Sequence, residues 1–122
     1  FTRRYSWQVR QPLKREAMLA AATYLLGRHD FRSFCAAGSS VVNYEREMYK
    51  VELSFEGSYI YIDFVANGFL YRMIRNMVGT LVEIGRGRID PEAVPAILAS
   101  RRREQAGPTA PPQGLCLELV KY

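Results

Sequence analysis

The chain has 122 residues, 48% hydrophobic and 24% charged, with 17 Lys and Arg against 12 Asp and Glu and a formal charge of +5. That composition fits one soluble globular domain with a real core and argues against an acidic disordered tail; the basic balance favours an anionic partner without proving one. Cys35 and Cys116 lie far apart with no CxxC spacing, which argues against a disulfide scaffold or a cysteine-rich zinc site and makes a reducing, cytoplasmic compartment the expectation.

Residues 1–12 mix aromatic and basic side chains and end at Pro12. Tyr5, Trp7 and Val9 alternate with Ser6, Gln8 and Arg10, which predicts a strand. Arg3 and Arg4 lead into this mixed segment and not into an apolar one, so no signal peptide is read there. Residues 13–26 turn helical, with three consecutive alanines and no glycine before the stop at Gly27. The stretch 17–26, interrupted by Thr23, is about half the roughly 20 apolar residues of a membrane span. Residues 28–40 read as irregular.

Tyr49, Val51, Leu53 and Phe55 then alternate with polar residues, and Glu56-Gly57-Ser58 reverses the chain into a second strand over 59–66. Asn67-Gly68 breaks that strand, and the period changes from two to 3.6. Phe69, Met73, Met77, Leu81 and Leu70, Ile74, Val78, Val82 form two adjacent rows of a helix over 69–84, ended by Gly85 and Gly87. Asp90-Pro91-Glu92 starts a short helix, inside which Pro95 should cost a hydrogen bond. Arg101, Arg102 and Arg103 close it. After a Pro-rich loop over 107–114, Leu115, Leu117 and Leu119 alternate in a last strand. The expected fold is α+β: hairpin 47–66 and strand 115–120 in one antiparallel sheet, helices packed on one face, and Met73, Ile74, Met77, Val78 and Leu81 buried against it.

Few residues carry chemistry without help. On a helical wheel Arg72, Arg75 and Gly79 share the face away from the apolar stripe. They are two solvated arginines flanking a core helix, or Gly79 admits a close neighbour while Arg75 reaches a buried carboxylate or phosphate. His29 is the only histidine, and beside Asp30 it suits the turn at Gly27 better than acid–base work. Asp30, Asp63 and Asp90 have no second carboxylate at a catalytic spacing. Gly85-Arg86-Gly87-Arg88 follows a helix where a phosphate loop would precede one, and with 101–103 it offers phosphate contacts or simply basic helix ends.

Four motifs in order make the sequence recognisable: Gly27-Arg28-His29-Asp30-Phe31-Arg32-Ser33-Phe34, the run Asn67-Gly68-Phe69-Leu70-Tyr71-Arg72-Met73-Ile74-Arg75-Asn76-Met77-Val78-Gly79-Thr80-Leu81, then Ile84-Gly85-Arg86-Gly87-Arg88, and Ala106-Gly107-Pro108-Thr109-Ala110-Pro111-Pro112-Gln113-Gly114-Leu115. Together they resemble the TruA-type tRNA pseudouridine synthases. The resemblance implies a pseudouridine synthase-like fold and conversion of uridine to pseudouridine in the tRNA anticodon stem-loop, without a cofactor. An aspartate of the family attacks the nucleoside, the glycosidic bond breaks, and the base rotates and reattaches through carbon, after leaving its stack. Arg75 occupies the position of the arginine that pairs with that aspartate, and Leu115 would pack at the pocket. Arg72, Arg86, Arg88, Arg101, Arg102 and Arg103 would track phosphates.

The family's Arg-Thr-Asp motif, which carries the aspartate, is absent from this chain. Val42-Asn43 stands where many members have Arg-Thr or Lys-Arg-Thr. The expectation is therefore that residues 1–122 form the C-terminal, cleft-lining domain of a longer synthase, inactive alone. Its partners would be tRNA, the N-terminal half of the same polypeptide and a second copy in a homodimer, with no membrane. The alternative is an RNA-binding or assembly module without catalytic function.

Overall fold

The computed structural model describes residues 1–9, 11–37 and 43–112, and the backbone of Leu115 and Cys116. Among the described residues five strands, β1 (Thr2–Gln8), β2 (Gly27–Asp30), β3 (Glu45–Glu56), β4 (Tyr59–Ala66) and β5 (Leu115–Cys116), form one antiparallel sheet in the order β2-β3-β4-β1-β5. The described helices are α1 (Arg15–Tyr24), α2 (Met73–Gly85) and α3 (Val94–Ser100). The architecture is the expected α+β sheet-and-helix arrangement, and the last strand joins the sheet through β1. Residues 117–120 of that expected strand lie outside the described residues.

β3 and β4 meet at Gly57, whose φ of 58° suits a tight reversal. Val51, Leu53 and Phe55 stand opposite Phe64, Ile62 and Ile60. These last three are buried. The alternation predicted for β3 fails at one place. Met48 pairs with Ala66 and Lys50 with Val65, leaving Tyr49 as an extra residue. This bulge shifts the phase, so Met48 is buried and Tyr49, expected inside, is 57% exposed.

Three other expectations need correction. Residues 28–40 are not wholly irregular, because β2 pairs with β3 from Gly27↔Met48 to Asp30↔Glu45. Arg28, His29 and Asp30 carry no strand signal, and it is the exposed edge of β3 that recruits them. The helix expected from residue 69 begins at Met73, because Arg72 takes a left-handed φ of 57° inside the turn closed by Met73 N to Leu70 O at 3.1 Å. Pro95 costs no hydrogen bond. A 3-10 turn, Pro91–Ala93, comes first, so Pro95 sits in the first turn of α3, where its missing N–H has no helical acceptor to lose. Asp90 caps that turn, its Oδ1 accepting from Glu92 N at 2.9 Å.

α2 is the central element. Met73, Ile74, Met77, Val78 and Leu81 are buried as predicted, each contributing about 1.5–3 kcal/mol by removal from water. Its other side is covered too: Asn76, Thr80 and Glu83 are also buried. At its C-terminal end α1 crosses so closely that a Cβ on Gly85 would lie 2.6 Å from Met18 Sδ. Among the described residues no helix is long and apolar enough to cross a membrane.

Candidate functional site

The polar side of α2 does not face water. Arg75, Asn76, Gly79 and Thr80 share one helix face, as their spacing dictates, and residues 107–110 run antiparallel along it. Arg75 and Ala110 meet through Ala110 N to Arg75 O at 3.0 Å and Arg75 Nε to Ala110 O at 2.9 Å. Thr109 Oγ1 donates to Asn76 Oδ1 at 2.6 Å. Pro108 O lies 1.6 Å from where a Cβ on Gly79 would stand. Gly107 N donates to Thr80 Oγ1 at 2.9 Å. The close neighbour that Gly79 admits is thus this loop.

Arg103 fastens both sides of the seam. One guanidinium nitrogen donates to Gly107 O at 2.7 Å, and another donates to Asn76 Oδ1 at 3.0 Å and Thr109 Oγ1 at 3.1 Å. Burial lowers its pKa below the ordinary value, but the group stays charged at any working pH. Asn76 Nδ2 in turn donates to Phe34 O at 2.7 Å.

Among the described residues, only Nε of Arg75 has a protein acceptor, and no carboxylate pairs with the guanidinium. Arg75 lines a cavity of about 460 Å³ together with Arg3, Phe69, Tyr71 and Arg72, with no acidic residue among the described residues of its wall. Arg3 lies over the Phe69 ring at 5.6 Å and Arg72 over the Tyr71 ring at 5.1 Å. Arginine faces and aromatic rings with two spare guanidinium nitrogens suit an anionic group beside a flat base.

Tyr5 on β1 completes this edge. Its hydroxyl donates to Pro111 O, the residue after the Arg75 contact. Burial raises its pKa above 10.0, while the Arg75 charge opposes the shift in part. Leu115 stands opposite Tyr5 in the β1–β5 ladder, and its side chain lies outside the described residues.

The other arginines expected at phosphates fall into separate places. α2, at about 1.5 Å per residue, holds its two ends about 20 Å apart. At its far end Arg86 and Arg88 approach Glu83 at 3.0 and 3.5 Å. Arg86 also lies over the Trp7 ring at 5.9 Å. Arg101 pairs with Asp30 at 3.5 Å beside a second cleft of mixed charge, and Arg102 pairs with Glu104 at 3.1 Å. Arg88, Arg101 and Arg102 keep 65%, 63% and 68% of their side chains in solvent, whereas Arg103 is committed to the seam. His29 Nε2 sits 2.7 Å from Leu26 O, at the turn before β2. Asp63 pairs with Arg4 at 2.6 Å on the open sheet face. Asn43 Oδ1 accepts from Glu45 N at 2.9 Å, and Val42 lies outside the described residues.

Sequence reasoning missed Tyr5, Asn76, Thr80, Thr109 and the structural role of Arg103. A usable signal existed at Asn76 and Thr80, two polar residues inside an otherwise apolar helix.

A family model described as tRNA pseudouridine synthase matches residues 21–122. Over 122 residues the chain is 64% identical to tRNA pseudouridine synthase A of Moorella thermoacetica, covering all of this chain and 50% of that protein. It is 49% identical to tRNA pseudouridine synthase A of Syntrophomonas wolfei and 43% identical to tRNA pseudouridine synthase A 1 of Bacillus cereus, again over the whole chain and 49% of each relative. The chain spans about half the length of the curated relatives it matches. On these grounds the chain belongs to the tRNA pseudouridine synthase family.

Proposed function

We propose that this chain forms the arginine-bearing wall of the active-site cleft in a tRNA pseudouridine synthase, as the C-terminal domain of a longer polypeptide. The reaction converts uridine of the anticodon stem-loop to pseudouridine in the cytoplasm, and the working protein is a homodimer. The observation that carries this reading is Arg75: its Nε is anchored on Ala110 O, and its fork lines an aromatic cavity with no acidic residue among its described walls. A guanidinium held in that way keeps a partner carboxylate ionised and aimed in a partly dry pocket. The aspartate nucleophile comes from the N-terminal half. It forms a bond to the nucleoside, the glycosidic C–N bond breaks, and the freed base turns and bonds to the sugar through C5. The aspartate is released, the C5 hydrogen leaves as a proton to solvent and N1 takes one up. Arg72, Arg86, Arg88, Arg101 and Arg102 contribute contacts to tRNA phosphates, and Leu115 packs at the pocket.

The isolated 122 residues should release no tritium from tRNA labelled at uridine C5, and the intact protein should release it. Turnover by the isolated chain would contradict the division of labour. An intact protein that binds tRNA without releasing tritium would favour the RNA-binding module instead.

A further inference from the structure

We propose that Asn76, Thr109 and Arg103 form a positioning device for Arg75, so that residues outside the cavity lined by Arg75 set the rate of the reaction. This rests on the function proposed above.

Arg75 is steered from one side, through Nε to the carbonyl of Ala110. Ala110 lies in a loop outside regular secondary structure. Beyond one backbone bond, Ala110 N to Arg75 O at 3.0 Å, its place is held by side chains along the loop. Four successive loop residues, 107–110, meet Thr80, Gly79, Asn76 and Arg75 in turn. In the middle of this register Asn76 Oδ1 accepts from both Thr109 and Arg103, and Arg103 also reaches Gly107 O. Arg103 thereby holds helix and loop at once. Asn76 is itself locked by Phe34 O and is fully buried, so the register cannot slide without leaving a buried amide or a partly buried guanidinium unpaired. None of these three side chains lines the Arg75 cavity. A guanidinium aimed through one carbonyl inherits any displacement of that carbonyl, and about 1 Å of misplacement can cost up to 10²-fold in rate.

The test uses the intact synthase with Thr109→Val, Thr109→Ser and Arg103→Lys. Valine keeps the shape of threonine and removes the hydroxyl; serine restores it. For Thr109→Val, kcat for tritium release should fall about 10- to 100-fold with KM for tRNA within about twofold, and Thr109→Ser should recover most of the loss. Arg103→Lys should behave like Thr109→Val, because an ammonium cannot serve three acceptors in one plane. In an Arg75→Ala background the Thr109→Val change should alter kcat less than about twofold, since there is nothing left to aim. Equal losses in both backgrounds, or a wild-type kcat in Thr109→Val and Arg103→Lys, would overturn the proposal. Amide exchange at Ala110 gives an answer that does not depend on the reaction. It should quicken at least about tenfold in Thr109→Val, and unchanged exchange would overturn the positioning role. Failure of the wild-type protein to release tritium would instead count against the proposed function.

Discussion

Gly79→Ala probes the closeness of α2 and the loop in a single methyl group. The added Cβ would lie 1.6 Å from Pro108 O and 2.7 Å from Pro108 C, where real contacts hardly ever fall below 3.0 Å. The obstacle is main chain, so no rotamer change relieves it, and the loop must retreat by about 1.4 Å (3.0 less 1.6). Overpacking of this kind typically costs about 1–3 kcal/mol. The higher helix propensity of alanine returns about 1 kcal/mol, leaving a small to moderate net loss. The larger effect belongs to catalysis. Ala110, two residues beyond Pro108, carries the carbonyl that holds Arg75, so a shift above 1 Å should lower kcat about 10²-fold. Steady-state tritium release and thermal unfolding of the intact protein measure the two effects together. A Gly79→Ala enzyme with wild-type kcat would refute the reasoning, because the seam would then have to be loose. A fall in kcat matched by an equal loss of folded protein would refute it as well.

Arg88→Gln combined with Arg102→Gln should weaken tRNA binding and lower the salt slope by about one for each phosphate that is no longer neutralised; an unchanged slope in a salt titration would make both ordinary solvated charges. Arg86 is a poor probe, because reversing its charge would set a second carboxylate beside the nearly buried Glu83. Tyr5→Phe removes a hydrogen bond to Pro111 O and should cost about 1 kcal/mol at neutral pH. The phenol's raised pKa means that its contribution is fully present below pH 10.0 and fades as pH rises through the folded value. Denaturation of the two proteins across that range should show the gap closing, and a pH-independent gap would count against a protonated Tyr5 in the fold.

Much of the fold was legible because its main elements obey one period throughout. β4 alternates without interruption, and α2 carries its apolar rows at spacing four. What was hidden depends on partners distant in sequence. The bulge at Tyr49 follows from how β3 pairs with β4, and β2 exists because β3 offers it an edge. The helix start at Met73 was obscured because Phe69 and Leu70 continue the apolar spacing while Arg72 has already left helical geometry. At the site, Arg75 could be singled out through the family motif, and Gly79 through its place on the wheel. Arg103 could not. Three arginines in a row read as one solvated patch, and only the fold separates Arg103, bonded inside the seam, from Arg101 and Arg102 at the surface.

The central claim is that Arg75 is the point where this chain enters the chemistry. Single-turnover tritium release by the intact protein, compared with its Arg75→Ala and Arg75→Lys variants, tests it most directly. Removing a cation that pairs with a partly buried carboxylate costs about 3–5 kcal/mol, which is two or more decades in rate. Arg75→Ala should therefore be slower by at least about 10²-fold, with tRNA affinity retained. Arg75→Lys should recover little of the loss, because an ammonium lacks the planar fork that both Ala110 O and the carboxylate require. Near-wild-type release by Arg75→Ala would contradict the account.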